Sequence, residues 1–224
     1  MGSLAGLSGG IEIISAIIYK INSLIMALVM LTGGVASPST DNRIYYKEAD
    51  AELMAVVWGD TQLCNYNPER EINFIAACDD LQNSACQIDA LLVAGDIVEN
   101  GFQSEYDSLT DDLVKVTKVD NFVMAAGNHD IRIRDYEQST QRYFDFTNNL
   151  NPKDKAIDNI WFEYEVDGYS FLVIGSDEMR FEDAYLSDAQ LQWLEERVAA
   201  ISASGKPVFV MGHYPLRDTH GLPL

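Results

Sequence analysis

Short apolar runs of strand length alternate with segments of helical periodicity along most of this chain. The runs at residues 53–58, 91–94, 122–126 and 207–211 predict strands. After the first of them, Asn67 and Pro68 supply an N-cap and a first-turn proline for a helix that reaches about Asn83. Residues 106–116 have apolar positions at helical spacing and predict a second helix. This alternation predicts an α/β fold.

A β-hairpin and a further helix are predicted before the last strand. Residues 161–166 and 169–174 read as two strands joined by a two-residue Asp-Gly turn. Ser187 and Gln190 then form a capping box that opens a helix, which we expect to end at Gly205. Four apolar residues of this helix are expected to be buried: Leu191, Leu194, Val198 and Ile201.

The beginning of the chain differs from the rest. Residues 11–31 are almost wholly apolar, but Glu12 and Lys20 interrupt them. A charge near the middle of a membrane-spanning helix costs about 2.5 to 3.5 kcal/mol, which disfavours a single span. We therefore expect residues 1–37 to be a secretory signal peptide with Lys20 as its basic start, the alternatives being an uncleaved membrane anchor or neither. This predicts an extracytoplasmic or secreted protein, or a membrane-anchored one, whose folded domain is residues 38–224.

Composition limits the range of partners. The chain carries 35 acidic and 15 basic residues, a formal net charge of -20, which argues against a nucleic-acid-binding surface. An anionic substrate would need local positive charge, and bound divalent cations would supply it. The three cysteines, Cys64, Cys78 and Cys86, allow an exported protein one disulfide, and the lack of a Cys-x-x-Cys pair disfavours a structural zinc site.

Four of the apolar runs end in glycine followed directly by residues that can bind a metal. These residues are Asp60, Asp96, Asn128, His129 and His213. In an open α/β sheet, ligands bind beyond the carboxyl ends of the strands, so we expect these side chains to line one crevice. Glycine lets the backbone approach a bound group closely. Each motif alone is also typical of a turn, a cap or a core histidine, but two of the chain's three histidines stand in these motifs.

Taken together, the strand-end motifs resemble those of the calcineurin-like metallophosphoesterase superfamily, over residues 53–220 and in the same order. The motifs are Asp60-Thr61-Gln62, Gly95-Asp96, Gly127-Asn128-His129-Asp130 and Gly212-His213. The resemblance implies a four-layer α/β/β/α sandwich of two mixed sheets. It also implies a metal-dependent hydrolase of phosphoester bonds, either a phosphomonoesterase or a phosphodiesterase, with a two-metal centre.

The resemblance also implies roles for individual residues. Five of them would hold two divalent metal ions: Asp60, Gln62, Asp96, Asn128 and His213. Asp96 would bridge the ions, Asp60 would hold the first, and Asn128 and His213 the second. His129 would be the general acid, with Asp130 orienting its ring. Two such ions, about 3.5 to 4 Å apart, clamp an in-line displacement and generate hydroxide from bound water near neutral pH.

The ligand types leave the metal open. Oxygen and imidazole ligands without thiolate suit Mn, Fe, Zn or Mg. Gln62 stands where the usual pattern has histidine, which places the chain near a glutamine-bearing branch of the superfamily and favours manganese.

The substrate is the least determined part of the prediction. Arg132, Arg217 and His220 are candidate contacts for a small phosphorylated substrate, with a solvated surface role as the alternative. Phosphomonoesters, phosphodiesters and nucleotide pyrophosphates all stay open. The superfamily's terminal Gly-His-x-His is absent from the sequence, so we expect the last strands to be missing and the chain as given to be poorly active. The alternative function is a catalytically impaired metallophosphoesterase-like binding or structural protein.

Overall fold

The computed structural model describes Lys20, Lys47, residues 50–132 and residues 135–215. Its strands are β1 (Ala55–Trp58), β2 (Ala90–Val93), β3 (Phe122–Met124), β4 (Phe162–Val166), β5 (Tyr169–Val173) and β6 (Phe209–Met211). Its helices are α1 (Pro68–Gln82), α2 (Gln103–Leu113), α3 (Asn128–Ile131), α4 (Tyr136–Leu150) and α5 (Asp188–Ala203), with a 3-10 turn at Lys153–Lys155.

The strands form two three-stranded sheets. In the first sheet, β2 lies between β1 and β3, and both pairings are parallel. In the second, β5 pairs antiparallel with β4 and parallel with β6. Among the described strands only the second sheet is therefore mixed, because its first two strands form a hairpin while helices connect the strands of the first sheet.

The side chains of β2 show how the layers are stacked. Leu91 and Val93 pack in a core with apolar residues of α1, α2 and α4, whereas Ala90 and Leu92 pack against the second sheet. This alternation follows from the two-residue period of a strand. On the outer face of the second sheet, Arg197 of α5 pairs with Glu163 of β4 at 2.7 Å. The order of layers is helices, sheet, sheet, helix, so the predicted α/β/β/α sandwich is confirmed.

Local signals in the sequence are confirmed at two element boundaries. Asn67 caps α1, and its side-chain oxygen accepts a hydrogen bond from the Glu69 amide at 3.2 Å. The hairpin between β4 and β5 turns through Asp167 and Gly168, which have φ angles of 50° and 76°. Positive φ at both turn residues is what a type I′ hairpin requires, and the Asp-Gly pair supplies it.

Helix α5 departs from the prediction on its first turn. Ser187 caps it as predicted, but the Gln190 side chain does not complete a capping box: it bonds the backbone of Gly175 at 2.9 Å and Asp177 at 2.7 Å. These bonds fix which face of the helix meets the second sheet. Leu191 lies about 100° further round the helix and is 49% exposed, so its predicted burial is wrong.

Two further findings differ from the sequence analysis. Helix α4 was not predicted; it is capped by Asp135 and buries Tyr143 and Phe146 amid many polar residues. All three cysteines are free thiols, so no disulfide forms among them.

Some predictions fall on residues that the structure does not describe. The segment 1–37, apart from Lys20, and the candidate contacts Arg217 and His220 lie outside the described residues. Within the described residues, no helix has the length and apolar character needed to cross a membrane.

Candidate metal centre

The predicted metal ligands converge at one edge of the two sheets. Asp60 and Asp96 follow β1 and β2, Asn128 follows β3, and His213 follows β6 of the second sheet. Ligand atoms of Asp60, Asp96 and His213 all lie within 4.8 Å of one another. Parallel strands end at the same edge, which explains why residues far apart in the sequence meet here.

The hydrogen bonds of His213 determine which ring nitrogen faces the centre. Nδ1 lies 3.0 Å from the carbonyl oxygen of Ala94, which can only accept, so Nδ1 carries the proton. The other nitrogen, Nε2, lies 3.2 Å from Asn128 Oδ1 and 3.3 Å from Asp96 Oδ1. Asn128 directs its oxygen to the centre because its Nδ2 donates to the Phe181 carbonyl at 3.1 Å.

A divalent cation fits this arrangement. In the neutral tautomer, His213 Nε2, Asn128 Oδ1 and Asp96 Oδ1 turn lone pairs toward one another with no hydrogen between them. Atoms that bind one cation at about 2.0 to 2.2 Å lie about 2.8 to 3.6 Å from their neighbours in octahedral or tetrahedral geometry. The separations of 3.2 Å and 3.3 Å fall in this range. The donor set therefore matches a metal ion in both chemistry and spacing.

Asp96 is the most enclosed member of the site. It is 3% exposed, and its Oδ1 accepts a hydrogen bond from the His129 amide at 3.0 Å. Its Oδ2 accepts one from Gln62 Nε2 at 3.2 Å. Gln62 thus contacts Asp96 through its amide nitrogen, which donates, and not through the oxygen that would bind a metal. Gln62 therefore lies at the centre as predicted, but its amide nitrogen, not its amide oxygen, faces Asp96.

The backbone of the centre has an unusual conformation. Four non-glycine residues of the described chain have positive φ, and three of them are Asp60, Gln62 and Asp96, at 52°, 40° and 49°. Such conformations cost about 1 to 3 kcal/mol each and cluster at functional sites. The fold holds them with backbone bonds such as that from the Gln62 amide to the Asp96 carbonyl at 2.9 Å. Nothing in the sequence pattern indicates this strain.

Two of the strand-end glycines are required by the close approach of Asp96 and His213. A Cβ added at Gly127 would lie 2.1 Å from Asp96 Oδ1, and one at Gly95, which has φ of +90°, would lie 2.6 Å from His213 Cβ. At Gly59 the nearest atom to such a Cβ is 3.9 Å away. The close approach expected of these glycines therefore holds for Gly95 and Gly127 but not for Gly59.

His129 is held by a residue that the sequence analysis missed. Its Nδ1 lies 2.8 Å from the backbone oxygen of Glu99 and 3.3 Å from Glu99 Oε1. Its Nε2 points toward the centre, 3.8 Å from Asp96 Oδ2. Glu99 is the third residue after Asp96, and this acidic residue on the same loop was the available signal.

Asp130 does not contact the ring of His129, so its predicted orienting role is wrong. Its carboxylate accepts backbone hydrogen bonds from Gly127 at 2.8 Å, Val98 at 3.0 Å and Ile97 at 3.2 Å. Successive residues of a helical turn point about 100° apart, so Asp130 turns inward while His129 turns toward Glu99. Burial raises the pKa of Asp130 to about 7, whereas the amide donors favour its ionised form. Asp130 ties the loops after β2 and β3 together.

Arg132, a predicted substrate contact, is already paired. Its guanidinium lies 3.6 Å from Glu99 and 3.9 Å from Glu182, and its side chain is 15% exposed. Arg70 of α1 forms a second ion pair with Glu99. It also donates to the Gln62 carbonyl at 2.8 Å, which links the Glu99 cluster to the strained loop after β1.

The sandwich of two sheets, with carboxylate, amide and imidazole groups at their carboxyl edge, defines an α/β protein with a candidate metal site. A family model described as calcineurin-like phosphoesterase matches residues 55–223, and the chain belongs to that family. The resemblance predicted from the motifs is thereby confirmed.

No curated protein matches the chain. Similar solved structures include a purple acid phosphatase from yellow lupin (Lupinus luteus) seeds, with 16% identity and a TM-score of 0.47 over 70% of this chain. The chain spans 29% of the length of that phosphatase chain.

Proposed function

We propose that this chain hydrolyses a phosphoester bond of a small phosphorylated substrate at a two-metal centre. The convergence of lone-pair atoms from Asp96, Asn128 and His213 carries the proposal, since one bound cation would satisfy all three atoms. Asp60 completes the set, and membership of the calcineurin-like phosphoesterase family supports the reaction class. Bound divalent ions, for which manganese is the favoured candidate, would act as Lewis acids and supply the nucleophile near neutral pH.

His129 is the proposed general acid. The hydrogen bond at Nδ1 fixes the ring, so that Nε2 faces the centre and can protonate the departing oxygen. Glu99 is the proposed positioning residue, because its carboxylate lies 3.3 Å from Nδ1 and stabilises the charged imidazolium. Arg70 and Arg132 form ion pairs with Glu99 and balance its negative charge.

Replacement of His129 tests the proposed reaction. We expect His129→Ala to lower turnover of an alkyl phosphate by about 10² to 10⁴-fold, the usual contribution of general acid catalysis. Nitrophenyl phosphate should lose much less, because its leaving group departs without a proton. Steady-state rates for both esters, each measured as a monoester and a diester with manganese, give the comparison.

Metal content by elemental analysis is the control for this experiment and should be unchanged. Equal losses on alkyl and aryl esters with full metal content would remove His129 from the acid role. If the unmodified, metal-loaded chain hydrolyses none of these esters, the proposed function itself is wrong and a binding role is favoured.

Glu99→Gln tests the positioning role. We expect a loss of about 10 to 100-fold on the alkyl ester, the range found when a group that orients a functional histidine is removed. The double variant with His129→Ala should be no slower than His129→Ala alone, because Glu99 acts through the ring. Additive losses in this cycle would show that Glu99 has a separate, structural effect.

A further inference from the structure

The loop at residues 177–186, between β5 and α5, lies directly against the metal centre. The backbone oxygen of Phe181 accepts the hydrogen bond from Asn128 Nδ2 at 3.1 Å. The start of the loop is fixed by Asp177, whose carboxylate accepts from Gln190 Nε2 at 2.7 Å and from the Ser187 amide at 2.9 Å. These hydrogen bonds fix the position of the loop, and the side chain of Asn128 lies between the Phe181 backbone and the proposed metal ions.

Phe181 is exposed although its backbone is anchored. The residue is 70% exposed, the largest value among the exposed large hydrophobic residues of the described chain. The guanidinium carbon of Arg132 lies 5.4 Å from the centre of its ring. Arg132 is itself paired with Glu99 and Glu182, so its charge is balanced by protein groups. One face of the Phe181 ring thus packs on the Arg132 guanidinium, and the other face is exposed.

We propose that Phe181 is a specificity-determining residue that stacks on a planar aromatic group of the substrate. The inference rests on the proposed function, because a phosphoryl group held at the metal centre places the organic part of the ester outside it, beside the loop. A planar group on the open face of Phe181 would bury apolar surface of both rings, and offset stacking adds to that burial. The favoured substrates are phosphoesters with an aryl or heteroaryl group.

Binding of two non-hydrolysable probes tests this subsite apart from turnover. Phenylphosphonate and methylphosphonate share the metal-binding group and differ in the ring. We expect the manganese-loaded chain to bind phenylphosphonate more tightly, and Phe181→Ala to reduce this preference by about 3 to 10-fold while the affinity for methylphosphonate stays the same. Phe181→Tyr should keep the preference. Leu191→Ala removes an exposed apolar side chain of α5 instead, and it should leave the affinities for both phosphonates unchanged.

Calorimetry on the full chain and its variants separates the possible outcomes. An unmodified chain with no preference for phenylphosphonate overturns the inference, as does a preference that survives Phe181→Ala. Equal weakening of both probes in Phe181→Ala also overturns it, because the residue would then act only by supporting Asn128. If the preference for phenylphosphonate depends on Phe181 but the chain hydrolyses no ester, the subsite is supported and the proposed reaction is rejected. In an active chain, KM for phenyl phosphate should rise in Phe181→Ala with kcat little changed.

Discussion

Asp96→Asn is expected to remove metal binding and phosphoester hydrolysis together. The substitution keeps the size of the side chain and removes its negative charge. Asp96 faces Gln62 on one oxygen and His213 on the other, so the change withdraws the central anionic ligand of the proposed pair of ions. Divalent ions held at a carboxylate need that charge to offset the loss of their hydration. Hydrolysis should fall to the background rate.

A buried carboxylate outside the centre provides the matched control. Asp89 is 9% exposed and pairs with Lys47 at 2.7 Å. Asp89→Asn removes a buried charge at the opposite end of β2, and we expect it to lower stability while metal content stays complete. Elemental analysis and manganese-dependent hydrolysis are measured on both variants. An Asp96→Asn chain that still carries two metal ions would exclude the bridging role of Asp96.

The sequence predicts which side chains meet at the candidate centre, because two local rules place them there. A strand of four or five apolar residues must run through the core, and the first polar residue after it emerges at the sheet edge. Asp96 follows β2, which is buried along its whole length, so its location depends little on the rest of the fold. The parallel pairing of the strands then brings Asp60 and Asp96 together without any information from intervening loops.

The residues that support the centre are not predictable in this way. Glu99 and Phe181 contact His129 and Asn128 across 30 and 53 positions of sequence, and these contacts depend on the paths of two irregular loops. No periodicity or spacing encodes such a path. The error at Asp130 arose differently, because its orienting role came from the family resemblance. The turn of α3 directs the side chains of His129 and Asp130 apart.

Helix α4 shows a further limit of reading apolar periodicity. Its buried face includes Ser139, Thr140 and Thr147 beside Tyr143 and Phe146, so the apolar stripe is interrupted by small polar residues. Two of them are accommodated by hydrogen bonds: the Thr140 hydroxyl donates to the Tyr136 carbonyl at 2.9 Å, and the Ser139 hydroxyl oxygen accepts from Arg142 at 3.2 Å. Apolar residues are sparse in α4, and this is why the sequence analysis did not predict the helix.

Gly127→Ala is expected to destroy the metal centre without any backbone strain of its own. Gly127 has φ of -98°, a value that alanine adopts freely, so the effect of the substitution is purely steric. The added methyl group would lie 2.1 Å from Asp96 Oδ1 and 2.4 Å from the Asp96 amide nitrogen. Either Asp96 or the loop that carries Asn128 and His129 must move. Overpacking of this kind costs about 1 to 3 kcal/mol, and here the displaced group is the carboxylate proposed to bridge the metal ions.

Gly59→Ala is the matched control, because it adds the same methyl group to another strand-end glycine, next to a different ligand. At Gly59 the nearest atom would be Ala94 Cβ at 3.9 Å, an ordinary contact distance. We expect Gly59→Ala to bind manganese and hydrolyse esters like the unmodified chain, and Gly127→Ala to lose both properties and unfold at lower denaturant concentration. Calorimetric titration with manganese and denaturant unfolding measure the two effects. Equal metal affinity in the two variants would mean that the contact between Gly127 and Asp96 does not shape the centre, and that the glycine serves only the turn after β3.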